Sequence, residues 1–232
     1  MYEDLKKRVY EANLRLVKYG LVILTFGNVS EIDREKGVLA IKPSGVDYER
    51  MTPADMVVLN LEGRVVDGHL RPSSDTPTHI YLYKSFPGIR GIAHAHSDYA
   101  TAFAQARTEI PCLGTTQPDF APGPIPVTRE LSEEEVSSDY ELNTGKVIAE
   151  RFALLDPIQY PACLVAGHGP FAWGKSGSEA ADNLLDLEKI AKMAFITRLI
   201  NPEARPLKDY LLKKHFERKH GPKAYYGQGK EK

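Results

Sequence analysis

Leu5, Val9, Ala12, Leu16 and Tyr19 recur three or four residues apart, and Gly20 follows them. That spacing predicts an amphipathic first helix with a glycine stop. Leu21 to Phe26 is an apolar, β-prone run that leads into Gly27-Asn28-Val29-Ser30. Polar Asp33 to Gly37 separates it from Val38 to Ile41, so the two runs are expected to pair as a hairpin. Met56 to Leu59 and Arg64 to Val66 flank Asn60-Leu61-Glu62-Gly63 as a second hairpin. Thr52-Pro53 reads as a cap followed by proline at the first position of a short turn. Helices are expected from Thr76 to Phe86, Asp98 to Ala106, Glu141 to Leu155, Ser178 to Leu199 and Leu207 to His220. Gly91 to Ser97 and Ala162 to Ala166 read as short buried strands, and Pro111 to Pro126 as an irregular loop around Asp119. No repeat or linker divides residues 1–232, which predicts one α/β domain with a sheet that is not purely parallel.

Composition narrows the function classes. The apolar fraction of 42% and charged fraction of 26% are ordinary for a globular protein with a sizeable core. A net charge of -1 gives no reason to expect nucleic acid or an acidic membrane surface. The two cysteines, Cys112 and Cys163, form no C-x-x-C pair and fit a reducing compartment. The charged N-terminus has no signal-like apolar core, and no run is long enough to span a bilayer. A cytoplasmic protein is expected.

The chemistry centres on Gly91-Ile92-Ala93-His94-Ala95-His96-Ser97. On a strand, His94 and His96 would share one face, roughly 7 Å apart at Cα. That lets two imidazoles converge on an ion, although His-x-His also occurs as plain packing. His168 follows an apolar strand between two glycines. Three histidines with one open position form the catalytic zinc pattern, whereas structural zinc sites favour four ligands rich in cysteine. His69 and His79 carry weaker signals. His215 and His220 sit in the basic last helix, where the helix dipole alone explains them.

Several motifs occur in one order: Gly27-Asn28-Val29-Ser30, Lys42-Pro43-Ser44-Gly45-Val46, Pro72-Ser73-Ser74-Asp75, His94-Ala95-His96, His168-Gly169 and Lys223-Ala224-Tyr225-Tyr226-Gly227-Gln228. The set resembles the class II aldolase and adducin-head superfamily, and within it the sugar-phosphate epimerases, along essentially the whole chain. The resemblance implies a three-layer α/β/α sandwich with a mixed, largely antiparallel central sheet. It implies a cyclic homotetramer with active sites between subunits, and a C-terminal tail, residues 222–232, that contributes to them. It places a zinc ion, with manganese or cobalt as alternatives, on Asp75, His94, His96 and His168. It places substrate on Gly27, Asn28, Lys42, Ser44, Gly45, Ser73, Ser74, His215 and Arg218, with the dipole reading of His215 still open. It assigns the acid/base pair to Asp119 and Tyr226. Gln117, where relatives often carry histidine, and Gly167, where serine is common, depart from the pattern.

The reaction so implied inverts C4 of a phosphorylated ketopentose. Its C4 hydrogen is not adjacent to the carbonyl, so simple enolisation fails. Cleavage of C3–C4, rotation of the aldehyde and re-addition succeed. They require an electron sink and two proton-transfer groups on opposite faces. A sugar-phosphate aldolase of the same superfamily is one rival; such aldolases usually carry glutamate where Asp75 stands. A non-catalytic adducin-like head is another, and it would lack the three histidines.

Overall fold

The computed structural model describes residues 1–222 together with 224 and 225. Tyr226 lies outside the described residues. Seven strands form one sheet: β1 (Asn28–Asp33), β2 (Val38–Ile41), β3 (Val57–Asn60), β4 (Val65–Asp67), β5 (Gly91–His94), β6 (Ala162–Val165) and β7 (Gly169–Gly174). Their order is β4-β3-β2-β1-β5-β7-β6, and every pairing is antiparallel. The parallel component expected of a mixed sheet is confined to one isolated bridge, Val127 to Leu164.

Period-two alternation sorts the strands between two layers of helices. Val29, Ala93, Leu164 and Ala172 face α1 (Glu3–Lys18), α3 (Asp98–Gln105) and α6 (Gly177–Ile200). Ile32, Ile92, Cys163, Val165, Phe171 and Trp173 face α2 (Thr76–Ser85) and α5 (Tyr140–Arg151). Both faces are therefore covered, which gives the three-layer α/β/α arrangement. Two further helices are α4 (Glu133–Ser137) and α7 (Asp209–His220), the latter packed on the 3₁₀ turn Gln117–Asp119.

Three local expectations need correction. The first strand is Asn28–Asp33, not Leu21 to Phe26. Only Leu21 of the leading apolar run is well buried, and Leu24 is 82% exposed at a φ of 52°. Strand β1 conceals itself by composition: its Ser30 and Glu31 are polar yet buried. Glu31 receives the Arg8 guanidinium at 2.7 Å and the Gly177 N–H at 2.8 Å, so its charge caps the start of α6. Second, β7 contains two glycines and a proline, turn-type residues that hide a strand from pattern reading. Third, the strand through the histidine pair stops at His94 and leaves His96 in the short irregular segment before α3.

Candidate active site

Asn28, His94 and Phe171 stand side by side across β1, β5 and β7. The His94 ring stacks on Phe171 with centroids 4.1 Å apart. Its Nδ1 lies 2.8 Å from the Pro170 carbonyl. A carbonyl only accepts, so Nδ1 carries the proton and Nε2 keeps its lone pair for a ligand role. His168 reaches the same spot from the β6–β7 turn. Gly167 takes a left-handed φ of 73° there, and a Cβ on Gly169 would sit 3.2 Å from His96 Cδ2. The small, left-handed turn thus admits the imidazoles. Centroids of the three rings lie 4.8 to 5.1 Å apart, and one nitrogen from each falls within 4.8 Å of the others. Glu188 steadies the segment after His96 by accepting the Tyr99 and Ala100 N–H groups, each at 2.9 Å, at the start of α3.

Electrostatics keep the triad ready for a cation. Burial, reinforced by His94 and His96, pushes His168 down to about 3, and burial also lowers His96. Both are therefore neutral near pH 7 and offer lone pairs. Asp75, which precedes α2, lines the same cavity and accepts the Asn28 amide at 2.6 Å. Burial alone would raise its carboxyl, but His94, His79 and the Asn28 amide hold it below its usual value. Asn28 Oδ1 is buried without a donor among the described residues, an acceptor open to a polar ligand. The donor set suits a divalent transition metal, with His94, His96 and His168 as its nitrogen ligands.

The cavity holding the triad measures about 400 Å³. Its lining also includes Gly27, Ser44, Gly45, Ser73 and Ser74, with Lys42 among them. Two of these loops are tied together: Ser44 N–H donates to Arg71 O and Ser73 N–H to Lys42 O, both at 2.9 Å. A Cβ on Gly27 would lie 2.9 Å from Val22 and 3.1 Å from the His94 carbonyl, and its φ is 86°. Only glycine fits there. The Lys42 ammonium is buried, with no carboxylate at ion-pair distance among the described residues. Burial pushes it down to about 8, with Asp47 opposing. Glycine turns, serine hydroxyls and a buried lysine are chemistry suited to an anion.

Asp119, His215 and Arg218 are brought together, but not in this cavity. Arg218 Nη2 donates to Asp119 Oδ2 at 2.6 Å, and His215 Nδ1 lies 3.7 Å from Oδ1. Gln117 clamps the same loop by donating to Ile110 O and Gly123 O at 3.1 and 3.0 Å. That departure from the family pattern therefore has a structural role. Sequence reading missed Tyr140 and Glu141. Both line the cavity, and the Tyr140 hydroxyl lies 3.2 Å from His168 Nδ1. Their position at the first turn of α5 left no signal beyond helical periodicity.

Fold and triad define a class. The chain belongs to the class II aldolase and adducin N-terminal domain family, whose model matches residues 7–195. It is 56% identical over 226 residues to L-ribulose-5-phosphate 4-epimerase UlaF of Salmonella paratyphi C, covering 97% of this chain and 99% of that one. The Salmonella typhi protein of the same name is 55% identical over the same spans. Among solved structures, an L-fuculose 1-phosphate aldolase superposes with a TM-score of 0.79 at 28% identity, covering 93% of this chain and 95% of that one.

Proposed function

We propose that this chain is an L-ribulose-5-phosphate 4-epimerase that interconverts L-ribulose 5-phosphate and D-xylulose 5-phosphate. The observation that carries the reading is one cavity lined by two kinds of chemistry. Three converging imidazoles line it together with a buried lysine amid glycine and serine loops. A phosphorylated ketopentose presents a matching pair: carbonyl and hydroxyl oxygens at one end, a phosphate at the other. The 56% identity to epimerases over nearly the whole chain selects this substrate over others of the class.

His94, His96 and His168 would hold zinc, with manganese or cobalt also suited, and Asp75 would complete the set. Bound there, the ion would supply Lewis acidity, the electron sink that C3–C4 cleavage needs. One acid/base group takes the proton from the C4 hydroxyl as the C3–C4 bond breaks, releasing glycolaldehyde phosphate inside the site. The phosphate loops hold its anionic end while the aldehyde turns its other face. The bond re-forms with inverted C4, and a second group returns a proton to the new C4 oxygen. Asp119 and Tyr226 are assigned to these opposite faces. Asp119 and its partners His215 and Arg218 line no part of this chain's own cavity, which supports a site completed by a neighbouring subunit. An apolar strip, Met193, Phe195, Ile196, Leu199 and Ile200, is exposed near the end of α6 and supports assembly into a cyclic homotetramer.

The Lys42 ammonium sets a pH dependence. Its folded pKa of about 8 lies below the usual 10.5, so between these values the unfolded chain binds the extra proton and stability rises with pH. Phosphate binding reverses the preference, because it supplies the missing counter-charge. KM for L-ribulose 5-phosphate is therefore expected to stay level up to about pH 8 and to climb above it as the free enzyme loses the Lys42 proton. Lys42→Met should raise KM and flatten that limb in a steady-state pH series.

The aldolase reading draws on the structural similarity to L-fuculose 1-phosphate aldolase. A time course with L-ribulose 5-phosphate separates the two. An epimerase accumulates D-xylulose 5-phosphate with at most traces of free glycolaldehyde phosphate. Stoichiometric release of glycolaldehyde phosphate would favour the aldolase. Tyr226→Phe is expected to keep bound metal but lose most epimerisation, with part of the cleavage half-reaction surviving as traces of free aldehyde.

A further inference from the structure

We propose that Tyr48 is the positioning residue of the phosphate end of the cavity, holding both its glycine turn and its lysine from behind. The inference rests on reading the Gly27, Lys42–Gly45 and Ser73–Ser74 loops as a phosphate site. Tyr48 is 5% exposed and does not itself line the cavity. Its ring packs with Leu5, Val9, Met51 and Met56, so its bulk is explained by the core. Its hydroxyl is not. That group donates to the Gly27 carbonyl at 2.8 Å, with the Phe26 carbonyl at 3.3 Å.

The consequence follows from peptide geometry. In a trans peptide the Asn28 N–H points opposite to the Gly27 C=O. Anchoring that carbonyl on Tyr48 therefore fixes the plane of the Gly27–Asn28 peptide at the cavity wall. The preceding turn needs such an anchor. Leu24 takes a φ of 52°, and Ile23, Leu24 and Phe26 are exposed, so apolar burial does little to hold it.

The same ring addresses Lys42. The ammonium lies 4.6 Å from the Tyr48 ring centroid, a cation–π distance. Its contacts to the Thr25 and Pro43 carbonyls are long, at 3.2 and 3.4 Å. The Thr25 contact also belongs to the turn that Tyr48 anchors. One rigid side chain thus sets the distance between the charge and the glycine turn.

The test compares Tyr48→Phe with Ser44→Ala, using inorganic phosphate as a competitive inhibitor and both L-ribulose 5-phosphate and unphosphorylated L-ribulose as substrates. Tyr48→Phe keeps the ring and removes one hydrogen bond. It should raise the phosphate inhibition constant roughly 3- to 10-fold, the usual worth of such a bond. It should lower kcat/KM for the phosphorylated sugar by a similar factor more than for the unphosphorylated one. Equal losses on both sugars would make Tyr48 a general packing residue and overturn the proposal. A raised phosphate constant in Ser44→Ala alone would overturn it while leaving the phosphate site standing. No change in either variant would remove the phosphate site, and Tyr48 with it.

Discussion

Asp119→Asn is expected to lower epimerase turnover by roughly 10²-fold or more, the usual scale for a general acid/base group. The metal content should not change, because Asp119 stands apart from the triad's cavity and contacts Arg218 and His220 instead. The same separation makes a sharper claim. If Asp119 works on the site of a neighbour, the active site is divided between chains. His168→Ala, inactive for want of metal, and Asp119→Asn, inactive for want of proton transfer, should then complement each other. In a cyclic oligomer with heterologous interfaces, assembled from equal amounts of both, about a quarter of the sites receive two intact halves. Activity should recover to about that fraction on co-assembly. A mixture as inactive as its parents would mean that Asp119 serves its own chain.

Removing the metal should have the largest effect of all. A chelator is expected to abolish turnover, and added zinc, manganese or cobalt to restore it. Because burial keeps His168 neutral down to about 3, binding at neutral pH displaces no proton from it. His168→Ala leaves two imidazoles, His94 and His96, with Asp75. It should weaken metal binding by more than the roughly 10- to 100-fold loss that follows removal of partners behind the ligands. His94 depends in turn on the Pro170 carbonyl at 2.8 Å, which fixes its tautomer. Elemental analysis and chelator competition read these effects without reference to turnover. Full activity in metal-free protein would overturn the assignment.

Much of this was legible in the sequence, and for identifiable reasons. His94-Ala95-His96 stood out because alternate strand positions share a face, and His168-Gly169 because it follows an apolar strand between two glycines. Their convergence is real, although His96 reaches the cluster from the segment after β5 and not from the strand face. Helices α1, α2 and α6 and the β3–β4 hairpin stand where the sequence pattern puts them, and Thr52 caps the short 3₁₀ turn Pro53–Asp55 as expected, its N–H accepted by Asp55 at 2.7 Å. Strand β1 was misplaced because its polar residues find partners only in the fold: Asn28 on Asp75, Ser30 on His79 and Tyr83, Glu31 on Arg8. No local pattern reports such long-range satisfaction. Tyr140 and Glu141 escaped for the same reason, since only the packing of α5 against α2 carries them to the cavity. The grouping of Asp119 with His215 and Arg218 spans about a hundred residues and is likewise tertiary.

The most direct test of the account is turnover of L-ribulose 5-phosphate in D₂O, with the product read by NMR. Breaking and re-forming C3–C4 leaves every carbon-bound hydrogen where it was. The account predicts D-xylulose 5-phosphate carrying no deuterium at C3 or C4. Deuterium at C4, or no D-xylulose 5-phosphate from the metal-loaded protein, would contradict it.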